Sequence, residues 1–197
     1  MSDRRRIGVV LGAGSARGWS HIGALEALRE MEVPIDVVCG CSSGALVAAS
    51  YATGRLPALK ELAGGMTRAG MLRFLDLSFG GGGLIEGRGI VDFVRRNIGD
   101  VAIEDAVPRF GAVATEYGTG REVWFTHGSM IDAVRASIAL PGLLTPVMLR
   151  GRWHLDGALV NPLPITLARS LGAEVILAVN TAGELVPGRP SVMKTGV

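Results

Sequence analysis

Residues 35–46, Ile35-Asp36-Val37-Val38-Cys39-Gly40-Cys41-Ser42-Ser43-Gly44-Ala45-Leu46, run a short apolar stretch directly into a Gly-x-Ser-x-Gly pentapeptide. The first half reads as a buried strand, Ile35 to Cys39. From Gly44 to Thr53 the residues read as a helix, closed by Gly54. A serine between them would sit on a sharp strand-to-helix turn, a geometry that exposes its hydroxyl. Gly40 and Gly44 permit the tight backbone and let neighbouring elements approach. The helix would aim its free N–H groups and positive dipole end at the reacting centre.

Upstream, the same order occurs once more. Ile7 to Leu11 is a short apolar run ending in glycines, and Ser20 to Met31 carries Ile22, Leu25 and Leu28 at helical spacing, with Pro34 beyond. Strand, loop, helix, strand, loop, helix predicts a parallel sheet with helices on its faces. Farther on, Pro57 to about Arg68 reads as a helix, Gly80 to Gly83 as a loop, and Ile90 to Ile98 as an amphipathic helix. Phe110 to Thr115 and Glu122 to Thr126 read as strands of a hairpin around Tyr117-Gly118-Thr119-Gly120. Ile131 to Ile138 reads as a helix, Trp153 to Leu155 as strand-like, Ile165 to Leu171 as a helix and Glu174 to Val179 as a last buried strand.

Composition narrows the classes. The chain has 197 residues, 48% hydrophobic and 19% charged, enough apolar material for one domain with a real core. Mean hydropathy is +0.37, yet no apolar run approaches the roughly 18 residues of a membrane span. Arg4-Arg5-Arg6 before an apolar stretch has the order of a signal peptide, but that stretch is short and Arg17 soon follows. Net charge is +2 and aromatics are 5%, without the basic stripe and stacking residues of a nucleic-acid binder. Cys39 and Cys41 are too close in sequence for a normal disulfide and lack zinc spacing, so they read as buried fillers in a reducing, cytoplasmic setting.

If Ser42 is a nucleophile, it needs a base. The chain has three histidines. His21 falls in the first helix and His127 just after the hairpin. His154 stands two residues from Asp156, on the same face of an extended segment. None occupies a loop after a late strand, where a hydrolase histidine is expected, so packing or surface roles are assigned to all three. The carboxylates are left; among them Asp156-Gly157-Ala158 follows a strand-like segment, although Asp-Gly is also a common turn pair. A lone aspartate is a weak base, with an ordinary pKa of about 3.9, and works only in direct contact with Ser42 in a water-poor site.

The loop Leu11-Gly12-Ala13-Gly14-Ser15-Ala16-Arg17-Gly18 has three readings. It could present backbone N–H groups to a developing oxyanion. It could be a plain tight turn. It could bind a dinucleotide, but that pattern needs glycine where Arg17 stands, and an acid near the end of the second strand, where Cys39-Gly40 stand.

Taken together and in order, G-x-G-x-x-R-G, G-x-S-x-G and D-G-A resemble the patatin-like phospholipases, especially compact bacterial members related to the catalytic domain of neuropathy target esterase. Gly83 to Gly87, Arg135 to Gly142, Val160 to Pro164 and Leu171 to Val175 also look like family blocks. The resemblance covers roughly residues 5–182, read as the domain, with 183–197 as a tail. It implies a three-layer α/β/α fold with a mostly parallel central sheet. It also implies a Ser–Asp dyad of Ser42 and Asp156, without histidine. Gly12, Ala13, Gly14, Ser15, Arg17 and Gly18 would form the oxyanion hole, supported by the motif residues Gly40, Gly44, Gly157 and Ala158. The expected substrate is a carboxylic ester of a lipid, cleaved through an acyl-enzyme with no metal or organic cofactor. Peripheral contact with lipid surfaces is expected, and no nucleic-acid partner. Leu140 to Leu144 are placed on the acyl-binding wall by position and apolarity. Two departures stand out. Many relatives carry aspartate where this chain has Glu116. They also continue for a long helical stretch, whereas this chain stops at Val197; missing helices would expose apolar surface and alter the acyl pocket. A catalytically inactive binding or regulatory module is the alternative.

Overall fold

The computed structural model describes residues 4–65, 95, 96, 98, 99 and 101–182. The glycine loop at 80–83, the block at 83–87, most of the helix expected over 90–98 and the tail 183–197 lie outside the described residues.

The expected strand–helix alternation is present. Strand β1 (Ile7–Leu11) is followed by α1 (Ser20–Glu30), β2 (Ile35–Cys41), α2 (Ser43–Ala52) and α3 (Leu56–Gly65). Then come β3 (Arg109–Glu116), β4 (Glu122–Phe125), α4 (Met130–Ser137), β5 (Val147–Leu149), β6 (Arg152–Asp156), α5 (Ile165–Ser170) and β7 (Val175–Val179). The short edge strand β5 was not foreseen: three residues are too few to show a period.

The seven strands form one sheet, ordered β5-β6-β3-β2-β1-β7, with β4 on β3 as well. β7, β1, β2 and β3 are mutually parallel; the hairpin partner β4 and the pair β5–β6 are antiparallel. Thus the chain is α/β with a parallel sheet at its centre. Gly118 and Gly120, with φ of 93° and 67°, turn the β3–β4 hairpin through conformations that favour glycine.

The sheet buries both faces. On one, Val9, Leu11, Val38, Phe110 and Ala112 pack against Ile22 and Leu25 of α1, Ala45 and Ala48 of α2, and Met130 and Val134 of α4. On the other, Val10, Val37, Cys39 and Val113 pack against Leu167 and Ala168 of α5. Eight of the ten α2 residues are buried, because it lies between the sheet and other helices. Its glycine and alanines allow that close approach. Both cysteines are free and buried, as their filler role required, and burial pushes both thiols well up.

One topological detail positions everything that follows. β3 carries β4 along one edge, and β2 and β6 end to end along the other. Ala112 and Val113 pair with β2 on one side and β4 on the other; Ala114 and Thr115 pair with β6 and β4. The C-terminal end of β2 therefore meets the C-terminal end of β6. Among the described residues, no helix is long and apolar enough to cross a membrane.

Candidate active site

β2 runs two residues farther than its apolar pattern implied, through Gly40 and Cys41, and Ser42 follows at its tip. Ser42 has φ 55° and ψ −125°, a backbone state that side chains other than glycine rarely adopt. It is the N-cap residue of α2, yet its side chain caps nothing. The hydroxyl instead donates to Asp156 Oδ2 at 2.7 Å. The Ser42 amide donates to Ser137 Oγ at the end of α4, at 2.9 Å. The turn is held by close packing. A Cβ on Gly40 would collide with the Gly44 and Ala45 backbone, and one on Gly44 with the Leu11 and Gly12 carbonyls.

Asp156 is fixed on every side. Its amide donates to Ala139 O at 2.9 Å and its carbonyl accepts from Thr115 Oγ1 at 2.7 Å. Its Oδ1 accepts from the Ala158 amide at 2.8 Å. Gly157 lets the chain turn there: a Cβ would meet Val113 O, with Cys41 Sγ 3.0 Å away. The residue is 1% exposed, whereas Ser42 is partly exposed. Burial raises the Asp156 carboxyl above its ordinary value, against the opposing pull of the bonds from Ser42 and the Ala158 amide.

The loop after β1 lies against this turn. Gly18 is packed on Ser43, and Gly44 on the carbonyls of Leu11 and Gly12. Of the six expected oxyanion residues, Gly18 is buried within the 3-10 turn Ser15–Trp19, and the other five divide into two groups. Gly12 N–H donates to Val179 O, Ala13 N–H to Pro162 O and Arg17 N–H to Gly14 O, so these three amides are engaged within the fold. The amides of Gly14 and Ser15 have no acceptor among the described residues. Ser15 has φ 47°, a second non-glycine residue at positive φ beside the turn.

The histidines stand apart from the Ser42 hydroxyl. His21 is buried, with Nε2 against Gly12 O at 2.8 Å. His154 is buried edge-on to Phe125. It shares a sheet face with Asp156, as the spacing required. His127 is exposed, beside Thr126 Oγ1. Asp36, at the start of β2 rather than at its end where the dinucleotide pattern wants an acid, is held there by both terminal Arg4 nitrogens at 2.7 Å and by the Ile7 amide. Leu140 to Leu144 begin one residue after Ala139, whose carbonyl holds Asp156; of these, Leu144 is buried.

Ser137, Ala139, Thr115 and Thr181 shape the site but were not singled out from sequence, whereas His21 was weighed there and given the packing role it has. Ser137 and Ala139 fell inside a block of interest, Arg135 to Gly142, without any hint that a hydroxyl and a carbonyl there would hold Ser42 and Asp156.

The patatin-like phospholipase family model matches residues 9–169. An uncharacterised NTE family protein of Mycobacterium tuberculosis strain H37Rv is 39% identical over 189 residues, covering 95% of this chain and 52% of the relative. A lysophospholipase nte1 of Aspergillus fumigatus is 34% identical over 197 residues, covering 95% of this chain and 12% of the relative. The chain thus spans about half the length, or much less, of these relatives. Among solved structures, VipD from Legionella pneumophila shares the fold with a TM-score of 0.50 at 14% identity, covering 80% of this chain and 46% of that one. The ordered motifs, the α/β sheet and the family match agree, and the chain belongs to the patatin-like phospholipase family.

Proposed function

We propose that the protein is a serine acyl hydrolase that cleaves carboxylic esters of lipids through a dyad of Ser42 and Asp156. The observation that carries this reading is the 2.7 Å hydrogen bond from Ser42 Oγ to the buried Asp156 carboxylate. A raised carboxyl is a better base than a solvated one, and direct contact removes the need for an imidazole.

Ser42 Oγ would attack the ester carbonyl carbon. Its proton passes to Asp156 Oδ2 as the carbonyl electron pair moves onto oxygen. Collapse expels the alcohol, which takes the proton from Asp156, and leaves the acyl group on Ser42. Water then attacks the acyl-enzyme while Asp156 accepts its proton; collapse breaks the acyl–Ser42 bond, Ser42 Oγ takes that proton back from Asp156, and the carboxylic acid leaves. Because the amides of Gly12, Ala13 and Arg17 are engaged, the loop's contribution to the oxyanion falls to Gly14 and Ser15.

Related proteins named as phospholipases and lysophospholipases support a lipid ester as substrate. Peripheral contact with a lipid surface has its own support at the β5–β6 edge. Met148 pairs across the strands with Trp153, and the Tyr117 amide donates to Trp153 O. All three side chains are exposed. They flank a cleft of about 500 Å³ lined by Tyr117, Thr145, Pro146 and Trp153. Aromatic side chains with one polar end suit a membrane interface.

Labelling by a fluorophosphonate tests the reading. The wild type should label, Ser42→Ala should not, and Asp156→Asn should label far more slowly, with all three folded by circular dichroism. A folded wild type that neither labels nor hydrolyses p-nitrophenyl esters would favour a binding module instead.

A further inference from the structure

Two side chains with no part in the proposed chemistry hold the loop after β1. Gly12 O accepts from His21 Nε2 at 2.8 Å, and Ala13 O accepts from Thr181 Oγ1 at 3.2 Å. The amides of the same two residues donate to Val179 O at 3.0 Å and Pro162 O at 2.8 Å. Every backbone polar group of Gly12 and Ala13 therefore has a partner, and both peptide planes are fixed.

A carbonyl and the amide that follows it belong to one planar unit, and in the trans form they point in opposite directions. The only cis bond among the described residues is Val107–Pro108, so the Ala13–Gly14 peptide is trans. By drawing Ala13 O toward itself, Thr181 turns the Gly14 N–H to the other side. That N–H has no acceptor among the described residues. The fit is tight: a Cβ on Gly14 would overlap Thr181 Oγ1 and lie 3.1 Å from Thr181 Cβ. His21 and Pro162 fix the preceding peptide from its two ends.

We propose that Thr181 is a positioning residue, which by holding Ala13 O aims the Gly14 N–H at the substrate oxygen that becomes negative when Ser42 attacks. This inference rests on the serine hydrolase reading. Thr181 lies after β7, 168 positions from Ala13 and outside the residues 9–169 that the family model matches. Removing an oxyanion donor outright typically costs about 100- to 1,000-fold in turnover; loosening its aim costs part of that.

The test compares wild type with Thr181→Val, which keeps the shape and removes the donor, and Thr181→Ser, which keeps the hydroxyl. Each is measured for Tm, for kcat and KM on p-nitrophenyl butyrate, and for inhibition by an alkyl trifluoromethyl ketone. Serine adds to that ketone and leaves an oxyanion in the same place. With Thr181→Val, kcat should fall about tenfold and KM hold within about twofold, since the oxygen is charged only after attack. Ketone affinity should fall by about the same factor as kcat, while Thr181→Ser recovers most of both. Thr181→Ala removes the same donor without bulk and replaces the valine variant if that one melts early. Wild-type kcat in the donor-less variant, a change in KM alone, unchanged ketone affinity, or a serine variant as weak as the valine one would each overturn the proposal. A wild type with no ester hydrolysis would remove the hydrolase reading and this inference together. An active wild type with an indifferent Thr181→Val removes the inference alone.

Discussion

Ser42 Oγ and Asp156 Oδ2, 114 positions apart in sequence, stand at 2.7 Å because one strand measures both. Cys41 pairs with Val113 and Asp156 with Ala114, on consecutive rungs of β3. Neither side chain has to reach for the other.

Asp156→Asn should abolish turnover without loss of fold. The amide oxygen can still accept from the Ala158 N–H, and the amide nitrogen can donate to Ser42. In the wild type the carboxyl keeps its proton to higher pH when folded than when unfolded, where its ordinary value is about 3.9. The folded state then binds more protons in that window, so wild-type stability falls as pH rises from the unfolded value through the folded one. Asparagine does not titrate. The variant's Tm relative to wild type should be highest at pH 8, should decline as pH falls through the raised value of the folded carboxyl, and should level off below about 4; thermal melts across that range measure it.

In the proposed dyad the same raised carboxyl sets the rate profile. The base must be ionised, so the acid limb of kcat/KM should have its midpoint above the ordinary carboxylate range. Initial rates with an ester whose own hydrolysis is slow in this range would place that midpoint, and a limb below pH 4 would contradict the site.

Ser42 carries backbone strain at φ 55°. Ser42→Gly and Ser42→Ala should both be inactive, but only glycine relieves the strain. The glycine variant should be more stable than the alanine variant by about 1–3 kcal/mol, or several degrees in Tm.

Ser137 holds the Ser42 amide. Ser137→Ala should leave that amide unpaired, lower stability by about 1–3 kcal/mol and slow fluorophosphonate labelling, because the elbow loses a fixed point. Urea melts and labelling rates measured together separate this from simple unfolding.

Two glycines should respond in opposite ways to alanine. At Gly44 a Cβ would strike the Leu11 and Gly12 carbonyls, which are backbone and cannot step aside; the variant should fold poorly or not at all. At Gly23, inside α1, a Cβ meets nothing within 4 Å, and alanine should stabilise by about 0.5–1 kcal/mol. Tm for the two variants decides both.

Much of this was legible in the sequence for local reasons. The strands of the parallel core are short apolar runs bounded by glycine, and α1 shows its apolar spacing plainly. The extension of β2 through Gly40-Cys41 was hidden because glycine weakens a strand pattern, and here pairing with β1 and β3 overrides it. Ser42 and Asp156 were legible through their motifs, but their meeting was not, since end-to-end placement of β2 and β6 on one edge leaves no mark on either segment. Ser137 and Thr181 were invisible for a related reason: a single hydroxyl that bonds a distant backbone group has no local signature.

Under the proposed dyad, the shared edge of β3 also makes activity a register gauge. Side chains alternate between sheet faces, so a slip of β6 by one residue would turn Asp156 to the α5 side and bring Leu155 or Gly157 to its rung. Such a slipped chain would keep its helices and most of its sheet, and far-ultraviolet circular dichroism would scarcely notice. Ester hydrolysis would stop at once, so during refolding the return of turnover should mark the moment β6 locks against β3, later than the return of secondary structure.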